Sequence, residues 1–180
     1  MDIKTLMNER HAALEAVEGM LQEELIAARL NEPDDKNDIE VLTVIFPELG
    51  LDGDSALAEL FFLPIVSEEA QVQHFNTVIT IADDLEEERF PALYEAISYI
   101  NFRLVCGAYA LDEESGSLVF KLSVPMPIDL QGDDLIREIN ICSGNAVAVL
   151  DQHIDLVLGI ANGEVTMDDI KDTWTSGTGV

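Results

Sequence analysis

The side chains in this sequence best suited to chemistry near neutral pH are three histidines, His11, His74 and His153, and two cysteines, Cys106 and Cys142. Imidazoles serve as metal ligands and proton shuttles, and thiolates as nucleophiles. Their spacing argues against both uses. A helical zinc motif needs histidines at i and i+4, whereas these three fall on a helix, a strand and a second helix. Neither cysteine has a CxxC partner or a neighbouring cation to hold it as a thiolate, so reduced, buried thiols packed as small apolar groups are expected. In "LDGDSALAEL", Asp52 and Asp54 alternate like the start of a calcium loop. Such a loop starting at Asp52 requires glycine at its sixth position and glutamate at its twelfth, where Leu57 and Leu63 stand, so a hairpin turn is expected instead. Ser115, Ser117, Ser143 and Ser176 sit in no GxSxG elbow, and "CSGNAV" and "TSGTGV" lack the GxxxxGK spacing of a phosphate loop. The expectation is of no catalytic residue, no metal ligand and no cofactor.

Charge narrows the partners. Against 36 acidic residues stand 9 basic ones, a formal net charge of −27. Nucleic-acid backbones repel such a surface, and no segment gathers the cations into a patch. A basic protein or peptide partner would be attracted. The acid is spread along the chain with no separate acidic tail, which also fits a purely solubilising role. "LFFLPIV" is far too short to cross a bilayer, and "MDIKTLMNERHAAL" has no uninterrupted apolar core of the kind a secretory leader carries. A cytoplasmic protein with no membrane contact is expected.

Positioning any site falls to the elements. Ile3, Leu6, Met7, Leu14, Val17, Met20, Leu21 and Leu25 recur every three or four residues, which predicts one helix over 3–30, broken by "NEPDDKND". Strands are expected at Ile39–Phe46, Leu57–Leu63 and Val72–Ala82, separated by Pro47, "GLDGD" and "SEEA". A second helix follows from Leu85 to Ile100, with Pro91 tolerated near its first turn. "FRLVCGAYAL" and "SLVFKLSVPM" form a hairpin across the acidic turn "DEESGS". In its second strand Leu118, Phe120, Leu122 and Val124 face the core, opposite Ser117, Lys121 and Ser123, and Pro125 and Pro127 are expected to end the ladder. A long helix spans 132–160, and Thr166 with Asp169 caps a short last helix reaching Trp174, followed by a frayed tail. The fold class is therefore α+β, two layers, with a five-stranded antiparallel sheet in the order α-β-β-β-α-β-β-α. Residues 1–162 make one domain; 163–180 add the short helix and tail.

The segment "CGAYALDEESGSLVFKLSVPMPIDLQGDDLIREINICSGNAVAVLDQHIDLV" resembles the bacterial YbjN-like sensory-transduction-regulator family, whose fold is similar to that of type III secretion chaperones. An aromatic-bearing strand, an acidic hairpin, alternating leucines ending in "PMP" and a long helix with a charged first turn carry the resemblance. It implies a non-catalytic protein-binding module, chaperone-like or a regulatory adaptor, and often a homodimer. The alternative is a small-ligand-binding protein or enzyme with a pocket between sheet and helices. Surplus apolar positions on the last long helix make Val147, Leu150, Ile154 and Leu158 the candidates for a dimer contact.

Overall fold

The computed structural model describes residues 2–33, 38–51, 53–64, 67 and 69–175. Asp52, Glu68, the centre of "NEPDDKND" and residues 176–180, with Ser176, lie outside them. The helices are α1 (Ile3–Glu23), α2 (Phe90–Asn101), α3 (Gly132–Asp151), α4 (Ile154–Asn162) and α5 (Met167–Thr175). The strands are β1 (Ala27–Asn31), β2 (Val41–Leu49), β3 (Asp54–Phe62), β4 (Val72–Ala82), β5 (Ala108–Asp112) and β6 (Ser117–Pro127). They form one antiparallel sheet in the order β1-β2-β3-β4-β6-β5. The α+β class stands, with six strands in place of five and the order α-β-β-β-β-α-β-β-α-α-α in place of α-β-β-β-α-β-β-α.

Besides shifted ends (α2 begins at Phe90, β5 at Ala108, and Pro47 lies inside β2), three differences from the sequence expectation have a reason in the hydrogen bonding. The first helix does not run to residue 30. Leu25 adopts φ +63°, and the Leu25 amide donates to Gln22 O at 3.0 Å while that of Ile26 donates to Leu21 O at 2.9 Å. These two bonds are the Schellman closure that normally places glycine at the left-handed position. The chain then returns as β1, registered on β2 from Ala27↔Ile45 to Asn31↔Val41. The long C-terminal helix is likewise two helices, interrupted at Gln152 and His153. There Asp151 Oδ1 accepts the Gly50 amide at 2.8 Å and the Asp155 carboxylate accepts the Leu51 amide at 3.1 Å.

The third difference concerns Pro125, which lies inside β6; the strand does end at Pro127. The Ile128 amide donates to Gln71 O, on the β4 side. By strand alternation positions 125 and 127 face the other way, where β5 pairs only with Ser117–Lys121. No ladder donor is lost there.

Packing divides the chain into two compact units, each built from three stretches. The first comprises Met1–Phe46, Leu57–Val78 and Leu122–Asn145. In it α1 buries Leu6, Arg10, Ala13, Leu14 and Val17. The second comprises Pro47–Ala56, Ile79–Lys121 and Ala146–Val180. Its core holds Leu118 and Phe120, both fully buried, with Tyr109 edge-on to Phe120 at 5.1 Å. Lys121 is exposed, as the alternation requires. Phe90, Leu93, Ile97 and Ile100 form the expected buried stripe of α2, joined by Ala96. Gly107, at φ +71°, has no room for a side chain, because a Cβ there would meet the Phe120 ring at 2.3 Å. The last helix starts as the sequence indicates: Asp169 accepts the Thr166 amide at 2.8 Å, and its own amide donates to Thr166 Oγ1 at 3.4 Å.

Leu25 provides a test of the helix stop. It is 94% exposed, so its side chain contributes little packing. A left-handed L-residue costs roughly 1–2 kcal/mol, of which glycine's extra chain entropy offsets about 0.5–1 kcal/mol. Leu25→Gly should therefore raise stability by up to about 1 kcal/mol, and Leu25→Ile should lower it, both read from urea midpoints. A loss on Leu25→Gly would refute the left-handed stop.

Candidate functional site

Position 10 lies on the apolar stripe of α1, between Leu6 and Leu14, yet it carries a guanidinium. Arg10 is 3% exposed. Its Nε donates to Gln73 Oε1 at 2.9 Å and its Nη1 to the Leu63 carbonyl at 3.3 Å. The Nη1 group also faces Met7 Sδ at 3.9 Å, a weak acceptor. The guanidinium stands over the Phe62 ring, 4.8 Å from its centre, and Phe62 in turn packs on Phe75 at 5.2 Å. The second terminal nitrogen, Nη2, is buried and has no hydrogen-bond partner among the described residues. No ion pair joins Arg10 to a described carboxylate. Burial without a counter-charge holds its pKa below the ordinary arginine value.

Beside this side chain is a cavity of about 310 Å³, walled by Ile3, Met7, Arg10 and Leu14 of α1, by Phe62 and Pro64, and by Asp38, Ile39 and Glu40. Its lining is mainly apolar, and α1 brings Ile3, Met7, Arg10 and Leu14 to it because they recur one turn apart. Asp2 fixes the start of that helix by accepting the Thr5 amide at 2.9 Å. Glu40 is engaged by His11, whose Nδ1 lies 2.8 Å from Oε1. A second cavity in the same unit, about 350 Å³, is lined by Val17, Met20, Leu21, Ile26, Phe46 and Leu60 with Asn140, Ser143 and others. Ile26 and Leu21, the apolar pair of the Schellman closure, both reach it.

The residues singled out from sequence are dispersed. His11 belongs to the first cavity's surroundings; His74 is exposed on β4. His153 is buried, with Nδ1 2.9 Å from Val149 O and its ring stacked on Trp174 at 5.3 Å. Cys142 is buried in α3, and Cys106 is half-buried, less enclosed than expected; both are thiols. Ser115 and Ser117 bond one another; Ser115 also donates to Asp112 in the acidic turn at 2.9 Å, and Ser117 to Asp83, just after β4, at 2.8 Å. Ser143 donates to the Ile139 carbonyl within α3. Among the described residues no group of three or more His, Cys, Asp or Glu gathers to hold a metal. Leu150 and Ile154 lie in the chain's own core, at 0% and 2% exposure, while Val147 and Leu158 are half-buried. The apolar surplus that suggested a dimer row is thus largely absorbed within the second unit. Among the described residues, no helix is long and apolar enough to cross a membrane.

No protein-family model matches the chain, and no curated protein matches it in sequence. Sequence reasoning missed Arg10, although a signal existed, since a charged residue interrupts the α1 stripe where an apolar one belongs.

The network predicts an asymmetry. Gln73→Leu removes the Nε acceptor and leaves a buried cation short of another partner, so it should destabilise by about 1.5–3 kcal/mol. Adding Arg10→Met should recover most of that loss, because removing both partners of a buried polar pair is close to neutral. Denaturant unfolding of the two single variants and the double variant measures the coupling. Additive losses would mean that Gln73 does not support Arg10.

Proposed function

We propose that this chain is a non-catalytic binding protein that takes an apolar group into the cavity beside α1. One observation carries the reading: a mainly apolar hollow of about 310 Å³ with the buried Arg10 among its lining residues. Ligand sites combine such a lining with few, well-placed polar groups. At about 30 Å³ per small heavy atom, the hollow has room for roughly ten non-hydrogen atoms. This favours the small-ligand alternative drawn from the sequence. 1-Octanol is a suitable probe. Its addition should shift the Met7 methyl resonance in a saturable way and leave that of Met126, which is 3% exposed, in place. A Met7 signal unmoved at the solubility limit of octanol would end this reading.

A second reading keeps the family resemblance: a cytoplasmic, YbjN-like adaptor with a chaperone-like fold that acts as a homodimer. A shallow apolar face lined by Met20, Ile136 and Ile141, with Asp133, Arg137 and Asn140 beside them, supports it. Met20 and Ile141 are each 47% exposed there. On this reading α3 still makes the contact, through its first half instead of Val147 to Leu158. Sedimentation should then give a dimer that Ile141→Asp converts to a folded monomer; a wild-type monomer at both low and moderate salt would dispose of it.

A further inference from the structure

We infer that the group admitted beside α1 is the tail of a monocarboxylate, and that Arg10 reads its anionic head. This rests on the cavity reading above and adds the ligand's charge. A guanidinium carries five N–H donors. Three are directed by Nε and Nη1 to Gln73 Oε1, the Leu63 carbonyl and Met7 Sδ. The two on Nη2 have no acceptor among the described residues, although the group is buried. The charge is not neutralised either, since its acceptors among the described residues are all neutral. An arginine left in this condition lacks a planar, anionic, two-oxygen partner, which is what a carboxylate is.

The fit is specific about how the head would dock. Gln73 and the Leu63 carbonyl are held by the fold, whereas Met7 is 42% exposed and offers the weakest acceptor of the three. Nη2 is covered as the side chains stand, so a carboxylate must displace the exposed Met7 thioether and uncover the end of the guanidinium, placing one oxygen on Nη1 and the other on Nη2 in the end-on fork. Its tail then lies among Ile3, Leu14, Ile39 and Phe62. Asp38 and Glu40, in the same wall, oppose a second negative charge. The site therefore suits one carboxylate and an apolar remainder of about seven carbons, the roughly ten-atom capacity less the three-atom head. Dicarboxylates and phosphates are disfavoured by the same two side chains.

Octanoate against 1-octanol tests this, with the Met7 methyl as reporter at pH 7 and 0.15 M salt. Octanoate should saturate the wild type at a concentration at least about tenfold lower than octanol, the least that charge-assisted hydrogen bonds would confer. Arg10→Met should bring the two probes to near equality while octanol still binds. Glu40→Gln should tighten octanoate several-fold and leave octanol unchanged, which decides the matter even if the Arg10 variant fails to fold by circular dichroism. Equal saturation by both probes in the wild type, or a preference that survives Arg10→Met, or an octanoate affinity indifferent to Glu40→Gln, would overturn the carboxylate assignment with the apolar cavity intact. Failure of both probes to move Met7 would remove the cavity reading as well.

Discussion

Every open sheet has two edges, and the unpaired N–H and C=O groups along them constrain everything built around it. Here helix side chains supply the missing partners. In the first unit, Glu18 of α1 accepts the Leu30 amide at 3.0 Å and Gln22 donates to the Ala28 carbonyl at 2.9 Å. In the second, Asn101 at the end of α2 imitates a strand: it accepts the Tyr109 amide at 2.8 Å and donates to the Tyr109 carbonyl at 2.9 Å. These contacts dictate where the helices stop. For Glu18 and Gln22 to reach β1, the chain must reverse within a few residues of Glu23, and Leu25 accepts a left-handed backbone to do so. A peptide that binds by adding a strand needs those same backbone groups. At Ala28, Leu30 and Tyr109 they are already engaged, which directs attention from the sheet edges to the hollow beside α1.

Arg10 stands out more sharply against the acidic composition. With 36 carboxylates in the chain, an ion pair for one buried guanidinium would be simple to supply, and burying the charge without one is costly. The fold satisfies it with an amide oxygen, a backbone carbonyl and an aromatic face, all of which leave its positive charge in place. The effect is a local positive potential on an apolar wall. Repulsion of an anion by the distant surface acids is screened beyond about 8 Å at physiological salt, whereas attraction at contact is not. Charge selection inside the cavity can therefore run opposite to the sign of the whole molecule.

How far the sequence discloses this depends on whether the deciding force is local. The alternation of β6, the stripe of α2 and the Thr166–Asp169 cap are set by residues within a few positions of one another, and all were legible. The stop of α1 was not, because Leu25 continues the helical spacing of Leu21 and no glycine marks the turn. The break at Gln152–His153 was hidden for a different reason. No proline or glycine is present; what divides the helices is Asp151 and Asp155 turning to the amides of Gly50 and Leu51, about a hundred positions away, together with His153 stacking on Trp174. Arg10 is intermediate. Its place on the stripe was readable, but the empty valence at Nη2 depends on Gln73 and Leu63, which no local pattern connects to it.

Several of the acids that make up the net charge prove to be backbone partners. Asp2 caps α1, Asp112 accepts the Glu114 amide at 3.0 Å in the β5–β6 turn, and Asp169 closes the start of α5. Each is held below the usual carboxylate range, Asp2 chiefly by its bond from the Thr5 amide, Asp112 and Asp169 chiefly by hydroxyls of Ser115 and Thr166. Asp151 and Asp155 anchor the turn after β2, and Glu18 closes β1. A carboxylate is the one common side chain that accepts two or more such bonds with a full charge behind them. An abundance of acid is thus tied to the number of helix starts and turns this topology must terminate, and solubility alone is an insufficient account of it. The buried Arg10, by contrast, is engaged by no acid among the described residues, and that contrast is what marks its surroundings as a place for something the chain does not itself provide.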